Sequence, residues 1–409
     1  MKMELIESGR KKIEWVKQHM KVLNTLKDMY MEEQPFKGIN ISMSIHLEAK
    51  TAYTAVVLHE LGANVAITSS NPLSTQDDVA EALKTYGVNV YAKRSTDEEL
   101  YWKNIDKVLS IKPNIVIDDG ADLGVRIIEK YPELLENIWG INEETTTGIK
   151  RYKALLKDGE LKVPVIDVND SYMKYLFDNR YGTGQSTWDG IIRSTNLTVA
   201  GKNVVIAGYG WCGKGVAMRA KGLGAKIIIT EVDPIKAIEA VMDGFEVMPM
   251  DEAAKIGDFF ITVTGDTDVI VEKHFLNMKD GVVLANAGHF DIEVKVADLE
   301  RIKVEKTEIR NGVTQYTMPN GNKLYLLGMG RLVNLVNGDG HPVEIMDLSF
   351  SLQLEGAKYL KENKGNIEVD VKPVPYEVDI KIAKIKLKTM GIEIDELTPE
   401  QIAYLNSWK

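Results

Sequence analysis

The fold is decided by the stretch NVVIAGYGWCGKG (203–215), in which a short apolar run leads into a glycine-rich turn. The run VAMRAKGLG (216–224) follows directly and is typical of a helix. In such a unit Gly208 permits the tight turn, Gly210 lets the backbone approach a pyrophosphate, and Gly213 lets the helix pack closely on the strand. The N-terminus of that helix would face the phosphates. We therefore predict a dinucleotide-binding unit here.

Glu231 indicates which dinucleotide this unit binds. It lies in the next predicted strand, KIIITEVD (226–233), 23 residues after Gly208. A carboxylate at this position accepts a hydrogen bond from a ribose 2′-OH and repels a 2′-phosphate, which favours NAD over NADP. The alternative is a tight turn followed by a surface glutamate, without a cofactor.

On both sides of this unit, short apolar runs alternate with longer amphipathic ones, as in βαβ units of parallel sheets. The predicted strands before it are INISMSI (39–45), NVAIT (64–68), NVYA (89–92) and NIVID (114–118). Those after it are FEVMPM (245–250), DFFITVTG (258–265) and GVVLANAGH (281–289). Outside the two alternating units, helices are expected within 4–32 and 344–362, a helix and a connector within 171–200, and a charged amphipathic tail at 376–409. The predicted fold class is α/β, with two doubly wound Rossmann-like domains and a short C-terminal segment.

Composition and charge exclude several classes of function. The chain has 409 residues, 44% hydrophobic and 27% charged, as in globular proteins of two or three domains. Its net charge of -10 argues against nucleic acid or an anionic membrane as a partner. No apolar run reaches the roughly 18–20 residues of a membrane span, and the N-terminus lacks the apolar core of a signal peptide, so we expect a cytoplasmic protein. The single cysteine, Cys212, rules out an internal disulfide and cysteine-based clusters, and we predict no bound metal.

Nine segments, in the same order, resemble the S-adenosylhomocysteine hydrolase family over nearly the whole chain. Any one of them alone would be weak evidence, whereas the ordered series is highly specific. The segments are NPLSTQDDVA (71–80), DDGADL (118–123), EETTTG (143–148), VNDSYMKYLFDNRYG (168–182), AGYGWCGKG (207–215), ITEVDP (229–234), NAGHFDIE (286–293), GRLVNL (330–335) and GHP (340–342).

This resemblance implies a substrate-binding domain into which an NAD-binding domain is inserted. The corresponding division is 1–184 with 343–375 for the substrate domain, 185–342 for the NAD domain and 376–409 for a C-terminal segment with subunit contacts. The family is usually a homotetramer. Its mechanism implies that bound NAD oxidises the ribose 3′-OH, which acidifies the C4′ hydrogen, so that homocysteine is eliminated and water adds at C5′ before re-reduction. The substrate would be a small nucleoside thioether.

The resemblance also implies roles for particular residues. Lys174 would accept the 3′-OH proton, with Asp178 and Glu144 orienting the ribose hydroxyls. A lysine near a cationic nicotinamide should have a lowered pKa. His46 and Asp119 would remove the C4′ proton and activate water, in a division that stays open. The implied catalytic set is His46, Asp119, Lys174, Asp178 and His289.

The implied binding residues form two overlapping sets. Those for substrate are Glu48, Lys50, Ser74, Asp119, Glu144, Lys174, Asp178 and His341. Those for the cofactor are Thr145, Thr146, Thr147, Asn179, Gly208, Gly210, Gly213, Glu231, Lys236, Thr264, Asn286, Ala287, Gly288, His289 and Asn334.

Simpler explanations exist for several of these residues. Lys174 and Asp178 are four residues apart, as in an exposed helical salt bridge. A single histidine such as His46 is often structural. Thr145, Thr146 and Thr147 could form a helix cap or a strand edge, and Asp118 is expected to support its neighbour rather than to react.

The most informative departure from the family lies in IHLEAKTA (45–52). The family usually has Thr and Glu where this chain has Glu48 and Lys50, and those side chains read the adenine edge. Lysine has only donors, so it cannot accept from the adenine amino group. Hypoxanthine reverses the pattern, because O6 accepts from Lys50 and N1–H donates to Glu48. We therefore expect S-inosyl-L-homocysteine as substrate, whereas pairing of the two side chains with each other would leave S-adenosyl-L-homocysteine.

Smaller departures and other classes of function stay open. Thr183 replaces a common cysteine and Lys236 an asparagine near the cofactor ribose. The sequence ends at NSWK (406–409), where longer members continue into a tail that contacts NAD, so weaker NAD retention is expected. The alternatives are an NAD-dependent dehydrogenase of hydroxy acids and a catalytically silent NAD-binding regulator.

Overall fold

The computed structural model describes residues 2–408, and its strands form two sheets. The strands are β1 Asn40–Ser44, β2 Asn64–Thr68, β3 Asn89–Val90, β4 Ile115–Asp118, β5 Gly140–Glu143, β6 Val165–Asp167, β7 Asn203–Ala207, β8 Lys226–Thr230, β9 Glu246–Val247, β10 Phe259–Thr262, β11 Val282–Asn286, β12 Glu305–Arg310, β13 Val313–Thr317, β14 Lys323–Leu327 and β15 Val371–Pro373.

Helices pack around these sheets. They are α1 Lys2–His19, α2 Lys21–Tyr30, α3 Ala49–Glu60, α4 Asp77–Leu83, α5 Glu98–Leu109, α6 Asp122–Lys130, α7 Thr146–Lys157, α8 Tyr172–Lys174, α9 Thr183–Thr195, α10 Trp211–Gly222, α11 Pro234–Met242, α12 Met250–Ile256, α13 Glu272–Phe275, α14 Val296–Ile302, α15 Val333–Val336, α16 Val343–Glu362, α17 Tyr376–Met390 and α18 Pro399–Leu405. A π-helix, Tyr175–Gly182, joins α8 to α9. Within residues 2–408 no helix has the length and apolar character that a membrane crossing needs.

The first sheet is parallel throughout, in the order β15-β6-β5-β4-β1-β2-β3. Its central strands are almost fully buried. Strand β4 is apolar except for Asp118, as is typical of a buried parallel strand, whereas β1 also buries Ser42 and Ser44. Helix α16 brings the chain back from the second sheet and packs against this one, and β15 then pairs with β6 at its edge. The first sheet is thus built from two separate stretches of chain.

The second sheet has the order β12-β13-β14-β11-β10-β7-β8-β9. Strands β7 to β11 form a parallel, doubly wound core, and β14 pairs parallel to β11. Strands β12, β13 and β14 are antiparallel to one another and extend one edge. The α/β fold class with two Rossmann-like units is therefore confirmed, with an antiparallel edge that was not predicted.

Two details of the sequence prediction differ from the structure. The single helix expected within 4–32 is broken at the fully buried Met20, whose ψ of 66° is not helical. Strands β5, β6 and β15 were not predicted, although the shorter strands β3 and β9 were. The domain boundaries stay predictions.

Candidate active site

A cavity of about 1350 Å³ lies between the carboxyl ends of the two sheets. Residues that follow β1, β4 and β5 face residues that follow β7, β8, β10 and β11 across it. Parallel-sheet proteins bind ligands at this edge. The predicted site residues that line the cavity are His46, Glu48, Lys50, Asp119, Glu144, Thr145, Thr146, Thr147, Lys174, Asp178, Asn179, Gly208, Gly210, Glu231, Lys236, Thr264, Ala287, Gly288, His289, Asn334 and His341.

Lys174 is buried where α8 passes into the π-helix. Its Nζ donates to Oδ1 of Asn179 at 2.7 Å and to Oδ1 of Asn169 at 3.4 Å, and lies 3.4 Å from Oδ1 of Asp178. The side chains of Lys174 and Asp178 are only 5% and 6% exposed. The pair is therefore not an exposed helical salt bridge. Single-turn π-helices are frequent at functional sites.

The groups around Lys174 shift each other's titration. Burial lowers the pKa of Lys174, but Asp178 and Glu144 outweigh burial, so its pKa lies above the usual value. Burial raises the pKa of Glu144 to about 8, against the opposing effect of Lys174. Burial also acts to raise the pKa of Asp178, yet Lys174 and His341 hold it well below its usual range. The lowered lysine pKa expected from the sequence depended on a cationic nicotinamide, and the protein's own carboxylates act in the opposite direction.

His46, Asp119 and His289 form a triangle between the carboxyl ends of the two sheets. Nε2 of His46 lies 3.4 Å from Oδ2 of Asp119, and Nδ1 of His289 lies 3.6 Å from Oδ1 of Asp119. Burial lowers the pKa of His46 to about 4, although the Asp119 carboxylate opposes that shift. A neutral imidazole beside a carboxylate can take up a proton, which suits acid–base chemistry.

Two buried acids support the turns that carry Asp119 and Glu144. The Asp118 carboxylate accepts from the N–H groups of Asp119 and Gly124, so Asp118 is structural, as expected. Glu143 accepts from the N–H of Gly120 at 2.9 Å and from the N–H and hydroxyl of Thr145. Thr145 also caps the N-terminus of α7, and it lines the cavity as well.

Glu48 and Lys50 are both buried and form a pair at the cavity wall. Nζ of Lys50 lies 2.8 Å from Oε2 of Glu48 and donates to the carbonyl oxygen of Asp339 at 2.9 Å. The Glu48 carboxylate also caps α3 by accepting from the N–H groups of Lys50 and Thr51. Glu48 and Lys50 therefore pair with each other, which was one alternative raised by the sequence, and both side chains also line the cavity.

His341 lies in the segment after α15 and contacts residues of α9 and of the π-helix. Its Nδ1 lies 3.0 Å from Oγ of Ser186, and its Nε2 lies 3.3 Å from Oγ1 of Thr183. The same Nε2 lies 3.2 Å from Oδ1 of Asp178. His341 therefore contacts the carboxylate that also faces Lys174.

The glycine-rich turn has the geometry that a dinucleotide requires. Gly208 has a φ of 100°, and a Cβ on Gly213 would lie 2.0 Å from the carbonyl oxygen of Gly208. A Cβ on Gly210 would meet nothing within 4 Å, so this glycine leaves open space for a pyrophosphate. Oε2 of Glu231 accepts from the N–H of Tyr209 at 2.7 Å, and Oε1 accepts from two further backbone N–H groups. A carboxylate has about four acceptor positions, so one is left for a ribose hydroxyl.

Three predicted site residues do not line the cavity. Ser74 lies behind His46, Gly213 packs under Gly208, and Asn286 is buried with its side chain bonded to the backbone of Gly288.

Other residues contribute to the site and were not predicted. Asn169 accepts from both Lys174 and Asn179, and it lies in the quoted segment VNDSYMKYLFDNRYG, which was the available signal. Glu293 accepts from the N–H and hydroxyl of Thr264. It ends the quoted segment NAGHFDIE.

Comparison with known proteins gives full-length matches. Residues 179–340 match a family model described as S-adenosyl-L-homocysteine hydrolase, NAD binding domain, and residues 1–129 match one described as S-adenosyl-L-homocysteine hydrolase. The chain is 59% identical to the adenosylhomocysteinase of Thermotoga maritima, over 99% of this chain and 100% of the relative. It is 58% identical to the S-inosyl-L-homocysteine hydrolase of Methanocaldococcus jannaschii, over 99% and 97% of the two chains. A second S-inosyl-L-homocysteine hydrolase, from Methanococcus maripaludis, is 56% identical over 100% and 98%.

Proposed function

The chain belongs to the S-adenosyl-L-homocysteine hydrolase family of NAD-dependent enzymes, and from this premise we propose that its preferred substrate is S-inosyl-L-homocysteine. The reaction is reversible hydrolysis to inosine and L-homocysteine. The alternative within the family is S-adenosyl-L-homocysteine, which gives adenosine. Family membership argues against the two other functions considered from the sequence, an NAD-dependent dehydrogenase and a catalytically silent regulator.

The observation that carries the proposal is the unused hydrogen-bonding capacity of Lys50 and Glu48. Nζ of Lys50 has three N–H donors, of which Glu48 and the Asp339 carbonyl take two. The third donor remains for an acceptor at the cavity wall. The O6 of hypoxanthine is such an acceptor, whereas the amino group of adenine only donates at that position.

Glu48 supports the same base. Its carboxylate accepts from two backbone N–H groups and from Nζ of Lys50, which leaves about one of four acceptor positions. The N1–H of hypoxanthine would use this position, while N1 of adenine has no proton to donate. The pairing of Glu48 with Lys50 therefore orients both side chains and still leaves each with one hydrogen-bonding position for the base.

The relatives do not decide between the two bases. Five relatives named adenosylhomocysteinase are 53% to 59% identical to this chain, and three named S-inosyl-L-homocysteine hydrolase are 54% to 58% identical. Because these ranges overlap, the side chains that face the base carry the argument.

The test is a side-by-side assay of purified enzyme with NAD. S-inosyl-L-homocysteine and S-adenosyl-L-homocysteine are supplied separately, and the release of homocysteine thiol is measured. We expect a kcat/KM that is higher for the inosyl compound by about tenfold or more, since an unpaired buried polar group costs roughly 1–3 kcal/mol. A higher kcat/KM for the adenosyl compound would overturn the proposal and leave the family activity intact.

We assign the chemical steps to the residues around the cavity. When bound, NAD supplies the reversible oxidation of the ribose 3′ carbon. Lys174 handles the 3′-OH proton, and Asp178 and Glu144 hold the ribose hydroxyls. His46 and Asp119 handle the protons at C4′ and C5′. His289 would contact the nicotinamide end of bound NAD.

We also propose the domain division 1–184 with 343–375, 185–342, and 376–409, and a cytoplasmic homotetramer. The separate return of α16 and β15 to the first sheet supports the inserted domain. An uncovered apolar stripe along α11 supports assembly, because Ile235, Val241 and Met242 are 76%, 54% and 80% exposed. Light scattering coupled to size-exclusion chromatography tests the tetramer, and a monomer at working concentration would contradict it.

A further inference from the structure

Helix α16 carries two buried polar side chains, Ser349 and Gln353, that have no part in the chemical steps assigned above. They are four residues apart, so they lie on one face of the helix. Each donates a hydrogen bond to one of the two carboxyl groups beside Lys174. We propose that both are positioning residues, which hold Asp178 and Glu144 so that each acid keeps one oxygen for the site. This inference rests on the assignment of the two acids to the ribose hydroxyls in the proposed function.

Ser349 anchors Asp178. Its hydroxyl donates to Oδ2 of Asp178 at 2.7 Å, whereas a serine within a helix often donates to a carbonyl oxygen one turn earlier. The other oxygen of this carboxylate, Oδ1, lies 3.4 Å from Nζ of Lys174 and 3.2 Å from Nε2 of His341. One oxygen of Asp178 is thus fixed to α16, and the other faces the two basic groups.

Gln353 anchors Glu144 in the same manner. Nε2 of Gln353 donates to Oε2 of Glu144. The other oxygen, Oε1, is buried without a hydrogen-bond partner, and Glu144 lines the cavity. Buried carboxyl oxygens are normally paired, so Oε1 is left for a hydroxyl of the ligand. Neither Gln353 nor Ser349 lines the cavity, so both act through the acids and not on the substrate itself.

The packing of α16 on the first sheet fixes the position of these donors. The helix packs against β4 and β5, and Nδ2 of Asn142, in β5, donates to the carbonyl oxygen of Gln353 at 2.9 Å. A Cβ on Gly356 would lie 2.8 Å from Nδ2 of Asn142, so glycine permits this close approach. Side chains held by such packing can place a reacting group precisely, and a displacement of about 1 Å can cost roughly 100-fold in rate.

The two anchors also keep the acids from closing onto the Lys174 ammonium. Asp178 and Glu144 both attract this ammonium, since each acts to raise the pKa of Lys174. Oδ1 of Asp178 nevertheless stays 3.4 Å from Nζ. A close charge-assisted hydrogen bond would be about 2.7–2.9 Å long. Lys174 therefore stays available for the proton of a ribose hydroxyl.

The first test compares Ser349→Ala, Gln353→Met and Ser351→Ala in the NAD-loaded enzyme. The first two changes each remove one anchor, so kcat for thiol release should fall by about 10–100-fold while KM changes by less than about threefold. Ser351 supplies the matched control, because it is buried in the same helix and its hydroxyl has no hydrogen-bond partner. Ser351→Ala should react like the wild type.

A double-mutant cycle shows whether Gln353 acts through Glu144. In the Glu144→Ala background no carboxyl group is left to hold, so adding Gln353→Met should change kcat by less than about threefold. An equal loss in both backgrounds would overturn the proposal. NAD affinity and Tm show that each protein is folded. If Gln353→Met does not fold, Gln353→Asn takes its place, because it keeps the amide but withdraws it by one methylene group.

The pH dependence of stability gives a readout that does not require turnover. Burial raises the pKa of Glu144 to about 8, and the hydrogen bond from Gln353 opposes this shift. The other groups that act on Glu144 are Lys174, Asp178 and Asp119, and Gln353→Met leaves their charges in place. The variant should therefore raise this pKa further. The stability that Glu144 contributes is lost as pH rises through its folded pKa, so the loss of Tm should extend to higher pH than in the wild type.

Each Tm curve is compared with that of the matching protein that carries Glu144→Gln. The difference isolates the titration of this one acid. A curve for Gln353→Met that coincides with the wild-type curve would contradict the anchoring of Glu144, and a general loss of packing would lower Tm equally at every pH.

Both nucleoside thioethers are assayed with every variant, so that this inference and the proposed substrate can fail separately. Ser349 and Gln353 hydrogen-bond to neither Glu48 nor Lys50, so kcat should fall by the same factor with the inosyl and the adenosyl compound. A wild-type preference for the adenosyl compound would overturn the proposed substrate alone. Wild-type kcat in folded Ser349→Ala and Gln353→Met would overturn the positioning role alone.

Discussion

Nζ of Lys174 donates to Oδ1 of Asn179 at 2.7 Å, five residues further along the chain. The π-helix between these residues explains the contact. Its backbone hydrogen bonds link residues five positions apart, so side chains with that spacing come close together. Asp178, one residue earlier, contacts the same ammonium at 3.4 Å. One short segment thereby holds the proposed ribose-side acid and the proposed cofactor-side amide on a single buried lysine.

We expect Gly213→Ala to impair the cofactor site. A Cβ there would lie 2.0 Å from the carbonyl oxygen of Gly208, so the loop or helix α10 must move. Such overpacking costs roughly 1–3 kcal/mol, which corresponds to a loss of NAD affinity on the order of tenfold and a lower Tm. Fluorescence titration with NAD and thermal melting measure both effects.

Gly222→Ala is the control for this prediction. Gly222 ends the same helix, and a Cβ there would meet nothing within 4 Å. Alanine should leave NAD affinity unchanged and raise stability by up to about 0.5–1 kcal/mol. Equal losses of NAD affinity in the two variants would mean that the close approach of Gly213 to Gly208 does not determine cofactor binding.

The sequence predicted those features that depend on local pattern. Strand β2 was predicted with its observed bounds, and the glycine-rich turn was found because each glycine has a separate steric reason. Strand β12 was missed, since EKTEIR is exposed along its whole length and has no apolar alternation. Strand β12 therefore has no signal in its own residues.

For the candidate site, too, the sequence predicted part and missed part. Its polar residues could be named from quoted segments, but their contacts could not. The partner of Lys174 depends on a π-helix, which a 3.6-residue periodicity does not reveal. The unpaired Oδ1 of Asp119 and the backbone contact of Lys50 with Asp339 arise from residues far apart in sequence.

Glu231→Ala should weaken NAD binding by about 10–100-fold, because a hydrogen bond to a charged group contributes roughly 1.5–3 kcal/mol. The same carboxylate also holds the N–H of Tyr209, so loss of loop support must be separated from loss of ribose recognition. Parallel titrations with NAD and NADP do so. Ribose recognition predicts that NAD loses affinity while NADP does not. Equal losses for both would limit Glu231 to loop support.

Glu144 makes stability depend on pH. Folding raises its pKa from 4.5 to about 8, mainly through burial, so the folded state holds this proton more tightly. The contribution is fully present below the unfolded pKa and is lost as pH rises through about 8. Relative to Glu144→Gln, the wild type should therefore lose Tm between about pH 5 and pH 8. Glu396→Gln, at an exposed position, should follow the wild type, and parallel curves for all three would contradict the assignment.

The exchange Glu48→Thr with Lys50→Glu should shift preference from the inosyl towards the adenosyl substrate. A glutamate at position 50 accepts from the adenine amino group, and threonine at position 48 keeps a side-chain oxygen that can cap α3. Sites that hydrogen-bond a substrate reject a mismatched partner strongly, so the ratio of kcat/KM values should change by on the order of 100-fold.

Lys150→Glu is the charge-reversal control for the change at position 50, because Lys150 also lines the cavity but lies outside the segment 48–50. If reversal of one charge at the cavity wall altered binding in general, both variants would change the ratio of kcat/KM values alike. If Glu48 and Lys50 read the base, only the double exchange would change that ratio. An unchanged ratio in a folded double variant that still binds NAD would show that backbone groups alone recognise the purine.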